Sequence, residues 1–230
     1  MAEWLDTVFK GFDFALFRAM HDLALAAGEP MTALMRFISF FAHDGLCMFA
    51  LGLLLMCFRR TRKMGACVFL AVCCGGLITN ITLKNLVGRI RPYANFSHLA
   101  STVEGWWQYV GSARLGEAIN TSFPSGHTTS ATAAMVGLFL ASRHKKRTWP
   151  VLLFPFLMGI SRIYLMVHYG SDVLAGLASG TLGAVAAYAL TRLLWRKLEE
   201  HRERRFCAFV LEFDLAAWIA SLKKRDAAAQ

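Results

Sequence analysis

This sequence has little charge. Asp, Glu, Lys and Arg together make up 17% of its 230 residues, while 56% are hydrophobic and 13% aromatic. An ordinary soluble domain carries roughly a quarter charged residues, so the composition excludes that class and implies one compact membrane domain over 1–230. A removable leader is not expected either. Met1 to Asp6 carries no basic stretch running into an apolar core and a small-residue cleavage site, so insertion is expected to rely on the mature spans. The cysteines offer neither a disulfide framework nor a zinc spacing: Cys47, Cys57, Cys67, Cys73 and Cys74 lie in apolar segments and Cys207 in an amphipathic tail. Repeats and low-complexity linkers are absent, and no acidic cluster offers ligands for magnesium. The net charge of +10 does not indicate nucleic acid, because the basic residues sit in short connectors between apolar runs, as in cytoplasmic loops.

What is there is a series of apolar runs, about 36–58, 64–83, 126–142, 150–168 and 172–195, each near the roughly 20 residues that a spanning helix needs. The fold class is therefore all-α, a polytopic bundle of five to six membrane helices. In Leu5 to Ala27, charges interrupt apolar residues at near-helical spacing, which reads as an interfacial amphipathic helix more readily than a sixth span. A second surface-lying helix is expected within 199–225. Arg59, Arg60, Arg62 and Lys63 form one basic connector, Arg143, Lys145, Lys146 and Arg147 another, and Arg192, Arg196 and Lys197 a third. Placing these in the cytoplasm sends the chain near Lys84, Ser125 and His168 to the opposite face of the cytoplasmic membrane.

Those three places carry the polar clusters of the chain: KNLVGRIRP from Lys84 to Pro92, FPSGHT from Phe123 to Thr128, and SRIYLMVHYGSD from Ser161 to Asp172. Ionisable groups beside lipid are costly, so they read as a site. In the first, Lys84 and Arg91 lie two helical turns apart on one face, Arg89 points elsewhere, and the helix is expected to end near Ile90, ahead of Pro92. A point charge and a planar fork suit an oxyanion such as phosphate, and snorkelling to headgroups is the alternative. In the second, Ser125 is a natural N-cap, and the same geometry makes an anion cradle with Gly126 allowing close approach. His127 is suited to protonating a leaving oxygen. In the third, Asp172 either caps a helix or fixes the tautomer of His168, four residues earlier, leaving the other ring nitrogen to attack. Arg162, reckoned about 9 Å deeper along the helix, needs a partner that a bound phosphate would provide.

Together the patterns KX6RP, PSGH and SRX5HX3D resemble the type 2 phosphatidic acid phosphatase family, membrane relatives of the vanadium haloperoxidases. The resemblance covers about 64–190 and is complete at each signature position. It implies cofactor-free, metal-independent hydrolysis of phosphate esters. His168 would form a phosphohistidine, Asp172 would orient it, and His127 would be the acid. Lys84, Arg91, Arg162, Ser125 and Gly126 would hold the phosphoryl oxygens. The expected partner is a phosphorylated lipid, undecaprenyl diphosphate ahead of phosphatidic acid or phosphatidylglycerol phosphate. The rival readings are a phosphate-lipid binding or transport protein without turnover, and a haloperoxidase.

Other residues read more plainly. Gly176, Gly180 and Gly183 form a packing seam. His43 and Asp44 either back the site or mark a polar kink before Gly45. Trp106, Trp107 and Tyr109 either anchor the outer loop at the interface or line a lipid entry path, and Glu104, Arg114 and Glu117 read as its solvated face.

Overall fold

A computed structural model describes residues 1–95 and 121–228, the side chains of Asp44, Asn95 and 223–228 excepted. The outer-loop aromatic and charged residues named above lie outside the described residues. In order, the helices are α1 (Ala2–Val8), α2 (Lys10–Phe40), α3 (Leu46–Met56), α4 (Arg62–Gly76), α5 (Lys84–Val87), α6 (Pro92–Asn95), α7 (Gly126–Ala141), α8 (Lys145–Thr148), α9 (Leu153–Tyr164), α10 (Gly170–Glu200), α11 (Arg205–Glu212) and α12 (Leu215–Ala228). Between α4 and α5 the helix widens to π geometry over Leu77–Leu83, a local distortion that commonly marks a functional site.

α4, α7 and α10 form the centre; α3 packs on α4, and α2 packs on α9. The central seam is made of small residues. A Cβ on Gly180 would fall 2.6 Å from the Thr129 carbonyl oxygen, and one on Gly183 2.6 Å from the Gly75 nitrogen. Gly176 likewise lets α10 approach Ser125, since its Cβ would lie 2.8 Å from the Ser125 carbonyl oxygen. Hydroxyls fill the remaining space: Thr79 Oγ1 lies 3.0 Å from both Thr129 Oγ1 and Ser179 Oγ. Large apolar side chains instead face outward, among them Leu53, Leu77, Ile81, Phe156, Leu174, Leu182 and Val185. This distribution suits a bundle in lipid, where close backbone approach and internal hydrogen bonds hold helices together. Among the described residues, two helical stretches are long and apolar enough to cross a membrane, Arg62–Ala94 and Gly170–Glu200.

Gly180→Leu is therefore expected to stop α7 and α10 from closing. Overpacking of this kind costs about 1–3 kcal/mol or more. The folded peak on size exclusion in detergent should shrink and the melting temperature fall, whereas Leu182→Ala, on the outward face, should leave both unchanged.

The structure corrects three expectations and adds detail to a fourth. The apolar run 36–58 is not one helix, because α2 ends at Phe40, a 3-10 turn spans His43–Gly45, and Gly45 takes φ +73° before α3 begins. The first cluster's helix ends at Val87 rather than near Ile90, with Gly88 at φ +64° as its stop; glycine enters that region without a Cβ penalty. α9 ends at Tyr164 and the chain turns back through Met166 at φ 54°, so a straight-helix reckoning of the depth of Arg162 does not apply. Leu5 to Ala27 is divided between α1 and the first part of α2, and α2 buries Asp13, Phe17 and Ala24 against the bundle, with its kink at Gly28 before Pro30.

At the opposite end of the bundle from the clusters, Arg62 is a joint. It is 5% exposed and donates from Nε to the Met56 carbonyl at 2.8 Å, from Nη1 to that of Val210 at 2.7 Å, and from Nη2 to that of Phe213. A cation is favourable at the orphan carbonyls of helix C-termini. Beside it the backbone N–H groups of Arg59 and Ala217 hold the Asp214 carboxyl below its ordinary range.

Candidate active site

The three polar clusters meet at one cavity of about 840 Å³, lined by Lys84, Arg91, Gly126, His127 and His168 at its polar end and by Ala42, Phe49, Val72, Leu77 and Ile81 elsewhere. Each polar residue is placed by a local break in helix geometry. The π segment carries Asn80 and Lys84 to the rim, and a Cβ built on Gly126 would lie 3.5 Å from Asn80 Oδ1 and 3.7 Å from Lys84 Nζ. Gly88 ends that helix, so Arg91 crosses the site and donates from Nη1 to the Val167 carbonyl at 3.2 Å. Ser125 is the N-cap of α7, accepting from the Thr128 hydroxyl at 2.9 Å and more distantly from its N–H at 3.4 Å. The first turn of α7 thus offers backbone N–H groups beside Lys84, the arrangement that receives anions.

His168 sits in the turn between α9 and α10, 1% exposed. Its Nδ1 lies 3.5 Å from Asp172 Oδ2, too long for a hydrogen bond but within the loosening usual for catalytic pairs before substrate binds. With Nδ1 toward the carboxylate, Nε2 is the nitrogen left for chemistry. Asp172 both caps and orients: its Oδ2 accepts from the Tyr169 N–H at 3.0 Å and from the Ser122 hydroxyl. The Ser125 N–H also bonds the Asp172 carbonyl at 3.1 Å, tying the second cluster to the third. Arg162 donates to Ser39 Oγ on α2. The His127 ring stands 6.0 Å from that of His43, edge to face, so His43 lies beside the site.

Arg89, set aside from the sequence, is a principal member of the site's support. It is 1% exposed and its guanidinium meets three carboxylates: Nη1 to Asp172 Oδ1 at 2.7 Å, Nη2 to Asp13 Oδ2 at 3.0 Å and Nε to Asp6 Oδ1 at 2.8 Å. It also lies over the Tyr169 ring, 3.6 Å from the centroid. Its depth in the fold was the signal available, since an arginine that cannot reach water must find acceptors. Asp13 gave none, being one of several charges in an interrupted helix. Asn80 and Thr79 were visible only as polar breaks in an apolar run.

Comparison with known proteins agrees with this geometry. The family model of the PAP2 superfamily matches residues 60–196. The bacitracin transport permease protein BcrC of Bacillus licheniformis is 29% identical over 184 residues, covering 78% of this chain and 81% of that one. The undecaprenyl-diphosphatase BcrC of Bacillus subtilis is 29% identical over 72% of this chain and 77% of its own. The crystal structure of a PAP2-type phosphatidylglycerolphosphate phosphatase from Bacillus subtilis superposes with a TM-score of 0.59 at 24% identity, over 89% of this chain and 92% of that one, which shows the fold. Three motifs meeting at one cavity, within a segment the family model spans, lead to one conclusion: the chain belongs to the PAP2 superfamily and is a membrane lipid phosphatase.

Proposed function

We propose that this phosphatase hydrolyses undecaprenyl diphosphate through a phosphohistidine at His168. The observation that carries the mechanism is His168, backed by Asp172, lining the same cavity as Lys84 and Arg91. Nε2 of His168 attacks the terminal phosphorus, the bond from phosphorus to the bridging oxygen breaks, and His127 gives that oxygen its proton. Lys84, Arg91, Arg162, Ser125 and the Gly126 N–H hold the three phosphoryl oxygens, which is most of what phosphoryl transfer asks of a protein. Water then attacks the phosphorus and gives a proton to His127; the phosphorus–nitrogen bond breaks, its electron pair returns to His168 Nε2, and phosphate leaves. The cations supply the charge a metal would otherwise provide, so turnover is expected in EDTA.

The polyprenyl substrate is favoured because the relatives named BcrC align over most of both chains, and one is an undecaprenyl-diphosphatase. The phosphatidylglycerophosphatase B of Bacillus subtilis aligns over 46% of this chain, at 32% identity, which supports a glycerophospholipid monoester as the second reading. Binding or transport without turnover is the reading from another class. It uses the cations and leaves the paired histidine and carboxylate without a task. The loop charges support a single multi-pass domain of five to six spans in the cytoplasmic membrane, with the site on the extracytoplasmic face. α11 and α12 would lie at the opposite interface, exposing Phe206, Phe209 and Trp218.

The test is phosphate release by the purified protein in detergent with EDTA, comparing undecaprenyl diphosphate, phosphatidic acid and phosphatidylglycerol phosphate. The highest kcat/KM is expected for the diphosphate. A higher value for either glycerophospholipid would replace the substrate, and no release from any would favour binding or transport.

A further inference from the structure

The site's most elaborate contact comes from outside the segment the family model matches. Asp13, on α2, is 2% exposed. Its Oδ1 accepts from the Ser171 N–H at 2.8 Å, and its Oδ2 from the Ser171 hydroxyl at 2.8 Å and from Arg89 Nη2 at 3.0 Å. We infer that Asp13 is a positioning residue of the phosphatase: it occupies one arm of the Arg89 fork and so restricts Arg89 to one oxygen of Asp172, leaving the other oxygen for His168. The inference rests on the reading above in which His168 is the nucleophile.

The geometry of arginine is the reason. A guanidinium beside a lone carboxylate tends to bind it with two parallel bonds, taking both oxygens. Here Asp13 holds Nη2 and Asp6 holds Nε, and only Nη1 reaches Asp172, through Oδ1. Oδ2 is thereby free to stand 3.5 Å from His168 Nδ1, steadied by Tyr169 N–H and Ser122. Charge acts in the same direction. One cation shared among three carboxylates neutralises Asp172 less than a one-to-one pair would, so Asp172 keeps more of its field for the histidine. The Tyr169 ring under the guanidinium, 3.6 Å away, stops the fork from swinging out of this arrangement.

The experiment measures kcat and KM on full-length wild type, Asp13→Ala, Asp6→Ala, Arg89→Lys and the double variant Asp13→Ala with Arg89→Lys, alongside folded fraction and melting temperature. Without Asp13 the fork is expected to close on Asp172, lowering kcat by about 10- to 100-fold, as small misplacements of catalytic groups do, with KM within about twofold. Lysine has no fork, so the double variant should turn over faster than Asp13→Ala alone. Asp6 is half exposed and holds the outer arm, so Asp6→Ala should lower kcat by a smaller factor at unchanged KM. Should Asp13→Ala not fold, the Asp6→Ala result decides. An unchanged kcat in the folded single variant, or a double variant no faster than Asp13→Ala, would overturn the inference. In either case wild-type turnover keeps the phosphatase reading intact, whereas a wild type inactive on every lipid removes that reading and this inference with it.

Discussion

His168→Ala is expected to lower phosphate release by a factor on the order of 10⁴ or more, the scale seen when a covalent nucleophile is removed, while leaving the protein folded. Folding should survive because Nδ1 makes no hydrogen bond closer than its 3.5 Å contact with Asp172, and Asp172 keeps its bonds to Arg89, Ser122 and Tyr169. The two halves of the expectation are read separately. Turnover is followed as phosphate release under EDTA, and folding by melting temperature in the same detergent. A rapid quench with labelled substrate adds the direct observation, an acid-labile and base-stable label on wild type that is missing from the variant. Turnover within tenfold of wild type would place the nucleophile elsewhere.

Arg89→Ala should fail in the opposite manner, through the fold. Removing one member of a buried ion network costs about 3–5 kcal/mol, because the partners remain buried without their counter-ion. Here Asp13 and Asp172 are almost wholly buried and Asp6 is partly so, and the cation that links α1 and α2 to Asp172 disappears, leaving only the direct bonds of Asp13 to Ser171 between α2 and the start of α10. A domain of ordinary stability, 5–15 kcal/mol, would lose a large share of it. The expected result is a sharp fall in melting temperature and in the yield of monodisperse protein. A variant as stable as wild type would show that the N-terminal helices are held without the cation, by apolar packing such as Phe17 against Tyr169 and by the bonds of Asp13 to Ser171.

These two residues also show what the sequence made legible. α7 matches the run 126–142 almost residue for residue, because its limits are local: Ser125 caps one end and the apolar composition stops at the other. The glycine stripe of α10 was readable for the same reason, since small residues at helical spacing have one structural use. That the polar clusters lie together was expected from loop charge, and residues of all three line one cavity. What escaped was long-range. Nothing near Asp13 in sequence tells that it meets Arg89, 76 positions away, or that among these charges it alone is buried while Lys10, Arg18 and Asp22 of the same segment stay exposed. Arg89 was judged by helical phase, but the helix had already ended at Gly88. The run 36–58 looked continuous because hydropathy averages over a turn as short as His43–Gly45.

The joint at Arg62 bears on how the chain can be cut or extended. Two arms of that guanidinium end on carbonyls supplied by residues 210 and 213, so the segment after α10 completes the solvation of a buried cation rather than trailing from it. Shortening the chain at Glu200 would strand Arg62 between helices, and the damage would be felt in α3 and α4, where the deletion itself removes nothing. A tag appended after Gln230 leaves the same joint untouched.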